Sequence, residues 1–252
     1  MTAAVVAAAR YAGEAMGTSI TLDLRGRHAD DDRAHAAWAA VTAVLRHVDR
    51  VFGARRNSFV SRLGRGEIGL ADCPPEVVEV LRLGERAERE SGGAFAATRP
   101  GPDGTAVFDP GGVVGGWAAE RAASHLRALP ATDFRLSVGG GLVCRTLHPG
   151  SEPWRVGVAH PHQPKRVVAV VPVFTGAVAT SVARPGGVVD ARTGRPPADV
   201  ASVTVVADSL TWAAIDATAA HAQGAAAVDW LGARTGRTGL VVWRDGTTTV
   251  VG

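Results

Sequence analysis

The 252-residue sequence predicts an α+β protein in which helices pack on a mostly antiparallel sheet. From residue 133 onward, short apolar or alternating segments follow one another with few helices between them, as strands of antiparallel sheets do. The helical patterns fall mainly in the first half, so there is no regular alternation of strand and helix. No repeat, low-complexity segment or linker divides the chain. We therefore expect one domain over 1–252.

The elements are predicted in order from the spacing of apolar residues and from capping signals. Residues 18–25 alternate as a strand does, and a helix follows after the capping aspartates of 30–32. A second helix opens at Pro74-Pro75 and ends at Gly92-Gly93, and a third covers 116–128. Strands are then predicted at 133–138, 141–147, 154–159, 167–180 and 201–207, a helix at 209–222, and a last hairpin around Asp245-Gly246.

Composition excludes several classes of function. The net charge is +3, the cations are scattered, and nearly all are arginines, with Lys165 the one lysine. Because no nucleic-acid-binding signature accompanies them, we expect no nucleic-acid partner. Cys73 and Cys144 stand far apart, which argues against a zinc site or a disulfide framework and fits a reducing compartment. The N-terminus lacks a basic segment and no apolar run could span a bilayer, so we expect a cytoplasmic protein.

A glycine-dense stretch, FDPGGVVGGWAAERAA at 108–123, raises the question of phosphate binding. A Walker loop needs Lys and then Ser or Thr after its last glycine, but Gly116 precedes Trp117. The spacing of the glycines also differs from the G-x-G-x-x-G of dinucleotide-binding loops. Taken alone, these glycines supply positive φ angles or close packing.

The stretch belongs to an ordered series of short motifs that resembles the FAD:protein FMN transferases, the ApbE family. The series covers essentially the whole chain: AMGTSITL (15–22), SRL (61–63), SGGAF (91–95), the 108–123 stretch, LSVGGG (136–141), WRVGVAHP (154–161), AVATS (177–181), VVDARTGRPP (188–197) and ASVTVVADSLTWAAIDATAA (201–220).

The resemblance implies a single ApbE-type, T-fold-like domain with a defined chemistry. Such enzymes bind FAD with Mg²⁺, cleave its pyrophosphate, and transfer FMN to a Thr or Ser of a client flavoprotein, releasing AMP. That task needs a held pyrophosphate, a hard cation with oxygen ligands, and a hydroxyl placed in line.

Matching positions predict the nucleotide-binding residues. They are Met16, Gly17 and Thr18; Asp109, Gly111, Gly112, Gly116 and Glu120; Gly139 and Gly140; Thr180 and Ser181; and Asp190, Thr193 and Gly194. Thr218 matches the threonine of the family's metal-binding pair. Turn formation and capping are the other interpretation of each glycine and of Asp190.

Five positions depart from the family's pattern. Gly115 stands at the lysine of the glycine stretch, Ala96 at an acidic position, Gly141 at an aspartate, Gly187 at the histidine credited with proton handling, and Ala214 at the metal-binding aspartate.

No other residue is an evident replacement for the missing groups. Asp216 is two residues from Thr218, about 200° around a helix, and should point to the opposite face. Asp190 is a further candidate for the metal. His160 and His162, beside prolines, are expected in a surface loop.

Three hypotheses follow: an active enzyme with a rearranged site, a degenerate homologue that binds a flavin nucleotide without transferring it, and a repurposed enzyme. The third lacks support, because no new nucleophile or metal motif occurs in the sequence.

Overall fold

An antiparallel sheet of eight strands forms the centre of the computed structural model, which describes residues 7–53, 57–100, 106–147 and 150–252. The strands are β1 (Ala8–Ala15), β2 (Thr18–Gly26), β3 (Thr98–Pro100), β4 (Ala106–Phe108), β5 (Thr132–Val138), β6 (Gly141–Arg145), β7 (Trp154–His160), β8 (Gln163–Val173), β9 (Gly176–Val182), β10 (Val200–Ala207), β11 (Thr238–Trp243) and β12 (Thr248–Val251). The helices are α1 (Asp32–Phe52), α2 (Phe59–Gly64), α3 (Pro75–Glu90), α4 (Gly111–Arg127), α5 (Leu210–Gln223) and α6 (Ala227–Gly232).

The order of strands in the main sheet is β1-β2-β5-β6-β9-β10-β11-β12, and every neighbouring pair is antiparallel. The predicted fold class, helices packed on antiparallel sheet, is confirmed. β3 and β4 form a separate two-stranded sheet, and so do β7 and β8.

The helices cover one face of the main sheet. Alternate residues of β2 and β5, such as Leu22 and Leu136, are fully buried in the same core as the apolar faces of α1, α4 and α5. Each large apolar side chain removed from water in this way contributes about 1.5–3 kcal/mol. The sheet and helix layers are therefore held together mainly by this shared core.

The ribbon, which we define as β7, β8 and their connection (154–173), packs its base on the other face. Trp154 and Val173 lie in a small second core with Cys144 of β6 and Val178 of β9. The guanidinium of Arg25 stacks 4.0 Å from the centre of the Trp154 ring. The base of the ribbon is thus fixed to the sheet by packing and by a cation–π contact.

Several local predictions differ from the structure, and α2, α6 and β3 were not predicted. α4 begins at Gly111 instead of residue 116, and the predicted strand 167–180 is two strands that meet at Phe174 and Thr175. β1 pairs with β2 although the sequence did not predict it. Within the described residues, none of the helices has both the length and the apolar character needed to cross a membrane.

Candidate functional site

Two tight turns lie side by side at one end of the main sheet. Met16 and Gly17, at φ 54° and 68°, join β1 to β2, and Gly139, at φ 55°, joins β5 to β6 with Gly140. The Gly139 amide donates to the Ser19 carbonyl at 3.3 Å. A Cβ added at Gly139 would lie 3.2 Å from Thr18 Oγ1, so the predicted residues of these two motifs are neighbours.

The end of β9 adjoins the second of these turns. The Thr180 amide donates to the Gly140 carbonyl at 3.1 Å, and the Thr180 and Thr204 hydroxyls are 2.9 Å apart. Because side chains alternate along a strand, the hydroxyls of Thr180 and Ser181 lie on opposite faces of the sheet. Ser181 faces α5, so the two predicted hydroxyls do not act from one side.

Ser181 contacts a buried histidine that the sequence analysis did not single out. Its Oγ lies 3.0 Å from Nδ1 of His221, whose side chain is 1% exposed. Burial is the largest cause that lowers the pKa of His221, to about 4. At neutral pH this imidazole is uncharged and ties α5 to the sheet.

The glycine-rich stretch forms the first turns of α4, which runs antiparallel to α5. Gly112 lies close to Phe95, and a Cβ there would be 3.5 Å from Cγ2 of Thr218. A Cβ at Gly116 would be 2.6 Å from the Leu210 carbonyl oxygen and 2.7 Å from the Ala214 Cβ. The start of α4 therefore lies beside the second half of α5, the part of that helix in which His221 contacts Ser181.

Other predicted residues of this stretch hold the helix ends. The Asp109 carboxylate accepts from the Gly111 amide at 3.4 Å. Glu120 Oε2 accepts from the Leu210 amide at 2.6 Å and so caps α5. Gly116 is buried and Glu120 bonds to α5, so the described contacts of both join the two helices.

The loop after β9 joins the same region through a backbone contact. The Ala191 amide donates to the Ala94 carbonyl at 3.0 Å, next to Phe95. The Asp190 carboxylate accepts from Nε and Nη2 of Arg192 at 2.8 and 2.9 Å, and these bonds lower the pKa of Asp190. The amides of Thr193 and Gly194 both donate to the Asp190 carbonyl, so these residues form a closed turn.

The two faces of α5 carry different groups. Ala214 and Thr218 face the glycines of α4, and the Thr218 hydroxyl donates to the Ala214 carbonyl at 2.9 Å. Asp216 is fully buried elsewhere and pairs with Arg237 at 2.6 Å and Arg234 at 2.9 Å. This confirms that Asp216 does not share the face of Thr218. Among the described residues no group of three or more His, Cys, Asp or Glu could hold a metal ion.

The three glycines that depart from the family pattern lie in different environments. Gly115 is exposed in α4, with nothing within 4 Å of an added Cβ. A Cβ at Gly187 would lie 2.8 Å from Arg184 Cγ and 2.9 Å from the Arg184 carbonyl oxygen. A Cβ at Gly141 would be 3.2 Å from Leu210.

His160 and His162 lie at the tip of the ribbon with their rings 6.0 Å apart.

The fold and these contacts define an α+β protein with two adjacent glycine turns at one end of its sheet and a glycine-rich helix start packed against α5. Residues 99–240, more than half of the chain, match the model of the ApbE family. The chain belongs to the ApbE family.

Solved structures resemble the whole chain at low sequence identity. The apo flavinyl transferase ApbE of Pseudomonas stutzeri has a TM-score of 0.82 and 20% identity, covering 100% of this chain and 97% of that one. The flavin transferase ApbE of Vibrio cholerae has a TM-score of 0.80 and 19% identity, covering 97% of this chain and 96% of that one. An ApbE protein of Thermotoga maritima has a TM-score of 0.80 and 18% identity, covering 97% of both chains. No curated protein matches the chain at a significant level.

Proposed function

We propose that this chain binds a flavin nucleotide at the glycine-lined end of its sheet and has lost the magnesium-dependent transfer of FMN. Membership of the ApbE family and the names of the related flavin transferases support the class of ligand. One observation carries the loss: the face of α5 that holds Thr218 presents a methyl group, Ala214, where the family pattern has a carboxylate.

The start of α4 suits an anionic ligand. A helix N-terminus is the positive end of the helix dipole, which favours phosphate. The Gly111, Val113 and Val114 amides donate to Asp109 and Pro110, so the dipole carries the argument here. Gly111 is exposed and has no side chain, so a pyrophosphate can approach the backbone closely. The turns at Gly17 and Gly139 would give the rest of a nucleotide similar access.

A magnesium ion does not fit the residues present. Mg²⁺ takes near-octahedral oxygen ligands, usually including a carboxylate. Thr218 already donates its proton to the Ala214 carbonyl, Asp216 is held by two arginines, and Asp190 is held by Arg192. We therefore derive no step through a metal ion.

The positions of the other two missing catalytic groups differ in how much space they leave for a side chain. Gly115 could accept a lysine without displacing a neighbour, but Gly187 sits in a turn that a histidine would force open. Removal of one group that stabilises a transition state costs about 10²–10³ in rate. Losing several should leave transfer to a client flavoprotein negligible.

The test is a titration of the purified protein with FAD, with and without Mg²⁺, followed by chromatography for AMP. We expect weak binding that magnesium does not strengthen, and no AMP. Gly111→Glu should weaken binding by repelling the pyrophosphate, while a negative charge at a helix N-terminus preserves folding. Gly111→Gln, of the same size but neutral, is the matched control.

Two results would contradict the proposal. AMP release at catalytic rates would identify an active transferase with a rearranged site. Equal binding of FAD to the Gly111→Glu and Gly111→Gln proteins would place the nucleotide away from α4.

A further inference from the structure

The far part of the ribbon projects from the body of the protein. Trp154 and Val173 at its base are buried, and so is Val158 farther along, while Val156 and Val171 pack against the second core. Between residues 159 and 170 every described side chain is exposed or half-exposed. This arm, 159–170, therefore contributes little to the core.

The outward face of the ribbon combines apolar residues with Arg155. Gly157 pairs with Val170, and Arg155 with Pro172, on the side away from the buried Trp154 and Val158. Val167 lies on this side too, because its Cγ2 would be 3.6 Å from a Cβ at Gly157. Val170 and Val167 are 47% and 53% exposed. Glycine in a strand leaves a flat place where another backbone can approach closely.

The same part of the chain concentrates positive charge. Residues 153–189 contain no Asp or Glu but carry Arg155, Lys165, Arg166 and Arg184. Their summed charge of +4 is larger than the net charge of the whole chain, +3, so the other residues together carry a net charge of −1. Within the described ranges, no ion pair involves the three cations of the ribbon.

The ribbon also offers unpaired strand edges. β7 and β8 pair only with each other in the described residues, so each strand has one edge of amides and carbonyls without a strand beside it. An added strand can satisfy such an edge. The tip, His160 to Gln163, carries no large apolar side chain that would enter a bilayer, which favours a polypeptide partner.

We propose that the ribbon docks an acidic, extended segment of a partner protein, which pairs with a strand edge and lays its carboxylates on Arg155, Lys165 and Arg166. The apolar positions Val167 and Val170 would contact alternate side chains of that segment. Docking needs no flavin, so the proposal stands or falls independently of the proposed function.

The probe is a short fluorescein-labelled peptide in which Glu and Val alternate, titrated by fluorescence anisotropy without flavin. We expect it to bind about tenfold more tightly than the same peptide with Gln for Glu, with an advantage that fades as salt rises. A version interrupted by proline should bind weakly, because proline cannot donate to a strand edge.

Variants locate the binding surface. Lys165→Glu with Arg166→Glu should lower affinity about tenfold. Arg46→Glu with Arg82→Glu, on exposed faces of α1 and α3, makes the same change in net charge and should leave affinity unchanged. Val167→Thr with Val170→Thr should weaken binding while preserving strand propensity.

Lys165 provides a direct readout, because it is the only lysine of the chain. A carbodiimide should join its amine to a peptide carboxylate, and Lys165→Arg should abolish that link while affinity persists. Equal binding of the Glu and Gln peptides, or no effect of the ribbon charge reversal, would overturn the proposal. So would ribbon-dependent binding to phosphatidylglycerol vesicles or duplex DNA without peptide binding.

Discussion

Gly115 and Ala214 are the two positions at which the groups of the family pattern could most easily be introduced. Gly115 is exposed in a helical backbone, and no neighbour lies within 4 Å of an added Cβ. A lysine there would meet no steric strain and would raise helix propensity. Ala214 is half-buried beside Thr218, so a carboxylate at 214 would share a helical face with that hydroxyl.

The double change Gly115→Lys with Ala214→Asp should therefore strengthen FAD binding and make it dependent on Mg²⁺. The lysine supplies a cation for the pyrophosphate, and the aspartate supplies an oxygen ligand of the kind Mg²⁺ prefers. Calorimetric titration with and without Mg²⁺ measures both effects. Transfer should stay low, because Gly187 is unchanged.

The matched control is Gly115→Gln with Ala214→Asn, which adds similar bulk without the charges. If the control protein gains as much affinity, the added atoms act by packing. If the unaltered protein already shows a large magnesium enhancement, another group binds the metal.

His221 predicts a stability that falls in acid. Its pKa of about 4 in the folded protein lies below the ordinary 6.5, so the unfolded chain takes up a proton first as the pH falls. The free energy of unfolding should then decrease between about pH 6.5 and pH 4, by about 3 kcal/mol in total. Urea denaturation at several pH values measures this loss.

His221→Gln removes the titration and should flatten this part of the pH profile. His35→Gln, in which the lost side chain is 62% exposed, is the control and should keep the acid-dependent loss. A profile that stays unchanged in His221→Gln would show that carboxylates alone set the acid sensitivity.

At the scale of elements, the close contact of α4 with α5 depends on Gly116 and not on the neighbouring Gly115. Gly116→Ala places a methyl group 2.6 Å from the Leu210 carbonyl oxygen, so the helices must separate, at a cost of about 1–3 kcal/mol. Gly115→Ala meets no atom and should stabilise by about 0.5–1 kcal/mol. Chemical denaturation of both proteins measures the difference, and equal effects would contradict the packing described.

The same glycines explain where prediction of the elements failed. Proline and glycines at 110–116 are typical of a loop, yet Pro110 precedes the first turn and Gly116 is required by close packing within the helix. Local pattern cannot register a neighbouring helix that is almost a hundred residues away in sequence. α1 was predicted correctly, and its cap at Asp31 accepts from the Arg33 and Ala34 amides.

Strands were predicted where β-branched residues dominate, and β1 was missed because it consists mainly of Ala, Gly and charged residues. Its place at the edge of the sheet relaxes the need for such residues. β7 and β8 were predicted as strands, but not that they pair apart from the main sheet. Pairing between segments is a tertiary property that alternation alone does not encode.

At the scale of the whole molecule, the candidate site residues were predicted from the family resemblance. Helix geometry alone predicted the orientation of Asp216. The opposite orientation of Asp216 follows from 100° per residue and is confirmed. Its two arginine partners could not be predicted, because Arg234 and Arg237 follow an intervening helix. The roles of the remaining predicted residues stay predictions, although their backbone contacts bring several of them together.

If those segments form one nucleotide site, a single ligand should protect all of them at once. FAD near saturation should slow amide hydrogen exchange in peptides covering 15–19, 109–116, 138–141, 179–182 and 190–194, because local opening of each would break contacts with the ligand. The ribbon arm, 159–170, should exchange unchanged. Mass spectrometry of the free and FAD-bound protein measures this pattern, with Gly111→Glu as the control that loses it. Protection confined to one segment, or to the ribbon, would mean that the gathered glycine turns serve the fold alone.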